Sequence, residues 1–267
     1  MRIKQALSID TEINAYLRQL YLTTARECYR DCAHQARAES LSYEQYLLTV
    51  VERECEVRRI NRINRFLRES RLPLEKSLAQ FERDRLPRAV AMQLPSLLEG
   101  TFLDRRENVL VFGTPGSGKT HLLCAIAQEL VQQGRRVLFT SAGMLVQELL
   151  TAKRDLKLAR MIKDLARYEL LLLDDIGYVQ QNREEMEVLF TLLAERYERG
   201  SVMITSNLAF SQWDRIFKDP VTTAAAIDRL IHHSIILELN IESYRLEQSR
   251  KKSQNSAKKM KVTDEPT

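Results

Sequence analysis

The chain has 267 residues, 44% of them hydrophobic, and 41 lysines and arginines against 36 acids give it a formal charge of +5. That is enough for one large domain, or a medium domain with a smaller companion, around a substantial core. No stretch approaches the ~20 apolar residues of a bilayer-spanning helix, the N-terminus MRIKQALSIDTE lacks the apolar segment of a secretory signal, and four scattered cysteines fit reduced thiols better than a disulfide framework. A cytoplasmic chain is expected.

In chain order, Ile13, Leu17, Leu20, Tyr21, Ala25, Cys28, Tyr29 and Cys32 recur at three- and four-residue spacing. They predict one amphipathic helix from Asp10 to Ala38, opened by Asp10 or Thr11. Cys28, Cys32 and His34 lack the second ligand pair that a metal site needs, so the thiols read as buried helix residues. Ser42 with Gln45 resembles a capping box, and Tyr46, Leu47, Val50, Val51, Ile60, Ile63 and Leu67 extend the helix it opens to about Ser70. Residues 1–74 thus form a helical module, small for independent stability. Along its second helix Arg58, Arg59, Arg62, Arg65 and Arg68 make a basic ridge. It either clamps phosphates, with Arg58, Arg62 and Arg65 as the DNA-contacting candidates, or is a solvated face paired with Glu54, Glu56 and Glu69. Residues 75–100, with Pro87, Pro95 and Gly100, read as a linker and lead-in with short helical pieces.

From Glu107 the rhythm alternates. Strands are predicted at 109–112, 137–141, 170–174 and 201–205, with helices at 119–133, 142–168 and 183–199 between them. This is an α/β fold with a parallel sheet, assigned to 101–248, and ligands in such sheets sit at the carboxyl ends of the strands. The first strand breaks into Gly113-Thr114-Pro115-Gly116-Ser117-Gly118-Lys119-Thr120, followed by His121 and an apolar helical pattern. Glycines there let consecutive N–H groups face one anion, Lys119 adds a charge for the outer phosphates, and the Thr120 hydroxyl suits Mg²⁺. A nucleoside triphosphate with Mg²⁺ is the implied ligand.

The strand Leu170–Leu173 ends in Asp174 and Asp175, the first placed to hold the ion and the second to polarise an attacking water. The strand Val202–Ile204 ends in Thr205, Ser206 and Asn207, and the Asn207 amide can sense the outer phosphate or orient the water. Arg229, in Ala226-Ile227-Asp228-Arg229-Leu230, is either a surface residue beside Asp228 or a cation acting in trans on a neighbouring copy's nucleotide. Residues 249–267 close the chain as a basic tail, either solvated or neutralising nucleic-acid phosphates.

Together these residues resemble the AAA+ ATPases of the initiator clade. In order, ENVLVFGTPGSGKTHL, LLLLDDIGYV, ITSNLAFSQWDRIF, IDRLIHHS and ESYRL are similar to the IstB family, helper ATPases encoded beside the transposases of bacterial insertion sequences, and less closely to the helicase loader DnaC. Asp175 stands where most members carry Glu, and no clear second-sensor arginine follows the core, Arg245 being the nearest. The resemblance implies an ATP-binding regulator that forms homo-oligomeric rings or spirals on double-stranded DNA, bends it, and recruits and activates the transposase of the same element. It implies hydrolysis stimulated by DNA and assembly, and association with the nucleoid when DNA is bound. In this clade an inserted helix faces the central channel, which would put Lys153, Arg154, Lys157, Arg160 and Lys163 on phosphates. A helicase loader and a scaffold using ATP as structural glue are the other readings.

Overall fold

The computed structural model describes residues 2–176, 183–208, 212–213, 228–241 and 243–244. The basic tail, Arg245, Ala226 and Ile227 lie outside them. The chain divides into two compact units, Met1–Arg65 and Phe66–Thr267, so the division falls within a helix rather than at 74.

The first unit contains α1 (Arg2–Gln19), α2 (Thr23–Ala38) and most of α3 (Tyr43–Glu69). The single helix expected over 10–38 is two. Tyr21 takes a left-handed conformation at φ 56, Leu22 N–H reaches back to Leu17 O at 2.9 Å and Tyr21 N–H to Arg18 O at 3.1 Å. These two bonds are a Schellman stop. The capping box is present, with Ser42 N–H donating to Gln45 Oε1 at 2.9 Å and Gln45 N–H to Ser42 Oγ at 3.3 Å. Ala25, Tyr29, Cys32 and Val50 form a small core. Buried Glu54 accepts from Ala25 N–H at 2.9 Å and from Arg58 Nε at 2.6 Å. Burial pushes its carboxyl up, but these bonds outweigh it and hold the group below the usual range. Arg58 also donates to Tyr21 O, so its guanidinium is engaged within this unit.

In the second unit, β1 (Asn108–Gly113), β2 (Val137–Ser141), β3 (Leu170–Asp174), β4 (Ser201–Ser206) and β5 (Ser234–Leu239) form one parallel sheet in the order β2-β3-β4-β1-β5. Alternate strand residues feed two cores because the pleat turns successive side chains to opposite faces. Val109, Val111, Leu170, Leu172 and Met203 join α4 (Arg88–Glu99) and α6 (Lys119–Gln132) on one face. Leu110, Phe112, Leu171, Leu173 and Ile204 join α7 (Ala142–Arg154) and α9 (Arg183–Arg196) on the other.

The stretch read as linker is part of this body. Leu86, Val90, Leu94 and Leu97 are buried in the first core, α4 accommodates Pro95 inside it, and α5 (Thr101–Asp104) leads into β1. The long helix expected over 142–168 is also two, α7 and α8 (Leu158–Leu165). Leu156 at φ 57 makes the break, with Lys157 N–H on Ala152 O at 2.7 Å and Leu156 N–H on Lys153 O at 3.1 Å. β5 pairs with β1 from Asn108↔Ser234 to Gly113↔Leu239 and was not anticipated from the sequence.

Candidate functional site: a phosphate cleft

The strand order decides where the chemistry gathers. β4 lies between β1 and β3, so the tip of β4 separates the glycine loop after β1 from the acids after β3 at the carboxyl edge of the sheet.

Gly113, Gly116 and Gly118 have φ 156, 83 and 90. A Cβ on Gly116 would meet Ser243 Oγ at 2.1 Å, and one on Gly113 the backbone oxygen of Leu239 at 2.4 Å. The loop is therefore packed against the chain that leaves β5. Tyr244 N–H donates to Gly116 O at 3.0 Å and Thr114 Oγ1 to Ile241 O at 3.2 Å. Gly118 precedes α6 and Lys119 opens it, so free N–H groups and the positive end of the helix dipole face the loop's concavity.

Lys119 is buried, at 6% exposure. Its Nζ donates to Gly113 O at 2.8 Å and Thr114 O at 2.9 Å, which anchors the ammonium in the cleft wall. Thr120 Oγ1 donates to Asp174 Oδ1 at 2.7 Å, and Thr205 Oγ1 donates to the same oxygen at 2.7 Å. Asp175 N–H donates in turn to Thr205 Oγ1 at 2.8 Å. One buried threonine on β4 thus fixes both acids. Asp175 has φ 59, a left-handed conformation that a short polar side chain tolerates, and its side chain lines the cleft. Sequence reasoning placed Thr205 at a sensor tip but missed its bridging role.

The cleft encloses about 460 Å³ and is lined by residues 115–121, Asp175 and Asn207, together with Lys76, Phe81, Glu82, Arg85, Ile241 and Tyr244. His121 Nε2 lies 3.0 Å from Ser77 O and its ring meets Phe81 edge to face at 5.1 Å. Arg85 lies 5.1 Å above the Tyr244 ring. These lead-in residues carry no motif, and only the fold brings them to the loop. Ser117 Oγ and Asn207 Oδ1 are buried without a hydrogen-bond partner among the described residues, and both belong to the cleft lining. Buried polar atoms left so are costly, and a polar ligand satisfies them. The hard oxygens of Thr120 and Asp174 suit Mg²⁺.

Arg229 is elsewhere. It lines a groove with Asn108, Gly200 and Val202, at the starts of β1 and β4, and lies 5.0 Å from the Phe190 ring centroid. A six-residue strand separates that edge from the loop, about 16 Å at the usual rise. In the same groove Arg196 is buried at 4% exposure and donates to the carbonyls of Leu165, Tyr168, Glu169 and Ser201. Burial, with a contribution from Arg106, pushes its guanidinium down to about 10, so it stays charged at neutral pH. Of the basic candidates on α7 and α8, Lys153 pairs with Glu187 at 2.9 Å and Lys157 with Asp155 at 3.2 Å, while Arg154, Arg160 and Lys163 are exposed. Arg62 and Arg65 are exposed on α3.

Residues 15–252 match the family of IstB-like ATP binding proteins. An insertion sequence ATP-binding protein of Sinorhizobium fredii is 41% identical over 237 residues, covering 88% of this chain and 80% of its own. The IS21 insertion sequence ATP-binding protein of Pseudomonas aeruginosa is 39% identical over 220 residues, covering 81% and 82%. Among solved structures, AMPPCP-bound DnaA of Aquifex aeolicus superposes with a TM-score of 0.54 over 65% of this chain and 52% of its own, at 22% identity. That likeness establishes the AAA+ P-loop fold.

Proposed function

Because the chain belongs to the IstB-like ATP-binding family of insertion sequences, we propose that it is a transposition helper ATPase. ATP in the cleft drives copies of the chain to assemble on duplex DNA, and the assembly remodels the DNA and recruits and activates the element's transposase. The two relatives named above are insertion-sequence proteins at 41% and 39% identity, which favours this reading over a helicase loader.

The observation that carries it is the separation of two half-sites. The cleft lies at the carboxyl ends of the strands and Arg229 at their amino ends, too far apart to serve one nucleotide. Head-to-tail copies bring the arginine of one to the cleft of the next, and such a heterologous contact propagates into a ring or spiral. Nucleotide binding and assembly then share free energy.

Within the cleft, the loop N–H groups and Lys119 bind the phosphates. Thr120 and Asp174 would hold Mg²⁺, which when bound neutralises charge on the phosphate oxygens. Thr205 orients both acids, Asp175 accepts a hydrogen bond from the attacking water and takes its proton as the new oxygen–phosphorus bond forms and the bond from the outer phosphorus to the bridging oxygen breaks, releasing ADP and phosphate, and Asn207 aligns that water or the outer phosphate. Phe81, His121 and Tyr244 wall the cleft and exclude bulk water.

The test mixes two inactive variants. Asp175→Asn removes the cleft's proton acceptor and Arg229→Ala the trans cation, and each alone should lower DNA-stimulated phosphate release, by about 10²-fold for the first and about 10³-fold or more for the second. Mixed in equal amounts, roughly a quarter of the junctions pair an intact cleft with an intact arginine. Recovery of that fraction of wild-type turnover is expected. No recovery, with both variants still binding nucleotide, would overturn the intersubunit site.

A further inference from the structure

At the amino-terminal end of the sheet, Glu198, His232 and His233 gather one carboxylate and two imidazoles, with one ligand atom of each within 4.8 Å of the others. Among the described residues no other three His, Cys, Asp or Glu side chains meet so closely. Glu198 stands in the turn after α9 in a left-handed conformation, φ 57, and the histidines form the turn entering β5. Their rings meet edge to face at 4.2 Å, and His233 Nε2 lies 4.0 Å from Glu198 Oε1. The Tyr197 hydroxyl is 2.9 Å from His232 Nδ1, which fixes that ring and leaves Nε2 open to a metal. His232 N–H is held by Asp228 O at 2.9 Å.

We propose that Glu198, His232 and His233 bind one first-row divalent transition ion of the zinc class, with water completing its coordination. Two neutral imidazoles and a carboxylate are a donor set that Zn²⁺ accepts, whereas Mg²⁺ prefers oxygen alone, so this site and the phosphate cleft select different ions. Tyr197 supplies the outer support that orients a metal-binding histidine. Arg106 and Arg229 line the adjoining groove, and the Glu198 carboxylate offsets their charge. The bound ion ties the turn after α9 to the turn before β5, three residues from Arg229.

Full-length protein free of any polyhistidine tag, stripped with EDTA, is titrated with ZnCl₂ by calorimetry and with CoCl₂ by ligand-field absorbance. One ion per chain is expected. His232→Ala, His233→Ala and Glu198→Gln should each weaken binding at least about tenfold, and Tyr197→Phe, which keeps every ligand, by about ten- to a hundredfold. The ligands are exposed, so metal-free unfolding midpoints should not move. Absence of stoichiometric binding by the wild type overturns the site. So does undiminished binding by the His232→Ala/His233→Ala double variant or by Tyr197→Phe, since an adventitious surface pair would not feel the tyrosine.

Discussion

Thr205 shows how one hydroxyl can organise a site. It is fully buried, donates its proton to Asp174 Oδ1, and accepts Asp175 N–H. Thr205→Val keeps the volume but leaves that N–H without its acceptor and removes a donor from the carboxylate. Loss of such bonds costs about 1–3 kcal/mol, which a urea unfolding midpoint measures. Misplacement of Asp175 should lower phosphate release by about 10²-fold, whereas Thr205→Ser should retain most of both. Equal turnover of the valine and serine variants would show that the acids hold their places unaided. The glycines, Lys119, Thr120 and the acid pair were legible in the sequence because phosphate binding demands those residue types at fixed spacing. Thr205's double bond was not, since it depends on β4 lying between β1 and β3. Nor were Phe81 and Arg85, which reach the cleft only because the lead-in folds over α6.

At the scale of elements, apolar periodicity located the helices but not all their ends. Tyr21 and Leu156 stop α1 and α7 by Schellman bonds at positions where a sequence reader looks for glycine, and the apolar pattern continues past both breaks. Gly134, also left-handed at φ 86, was legible as the boundary before β2. β5 went unread because the turn of His232 and His233 that starts it carries no glycine or proline. Arg196, which bonds four carbonyls at the end of α8 and the starts of β3 and β4, is indistinguishable in sequence from a surface arginine. The Leu156 stop makes a quantitative expectation. Its side chain is 95% exposed, so replacement removes little packing, and glycine avoids the left-handed penalty of about 1 kcal/mol. Leu156→Gly should therefore raise stability by roughly that amount, read as a higher denaturant midpoint at unchanged slope. A lower midpoint would mean that the leucine's packing outweighs its backbone strain.

For the whole molecule, a net charge of +5 is too small to explain DNA binding as bulk attraction, so any affinity must come from where the cations stand. Lys153 and Lys157 are paired with Glu187 and Asp155, and Arg58 is occupied within its own unit by Glu54 and Tyr21. Arg154, Arg160 and Lys163 are exposed around the α7–α8 break, which makes them, of the basic candidates, the ones the proposed DNA binding would use first. Each phosphate neutralised releases counterions and adds about 0.9 to the slope of log affinity against log salt. Replacing these three residues with glutamine should flatten that slope by about one for each that contacts a phosphate, equally for unrelated duplex sequences, because phosphates carry no base identity. Arg58→Gln should leave it unchanged. Fluorescence anisotropy of labelled duplexes across a salt series, with ATP present as the proposed assembly requires, reads both slopes. An unchanged slope in the triple variant would move the DNA contact off α7 and α8, and a sequence-dependent loss would mean that these side chains reach the bases.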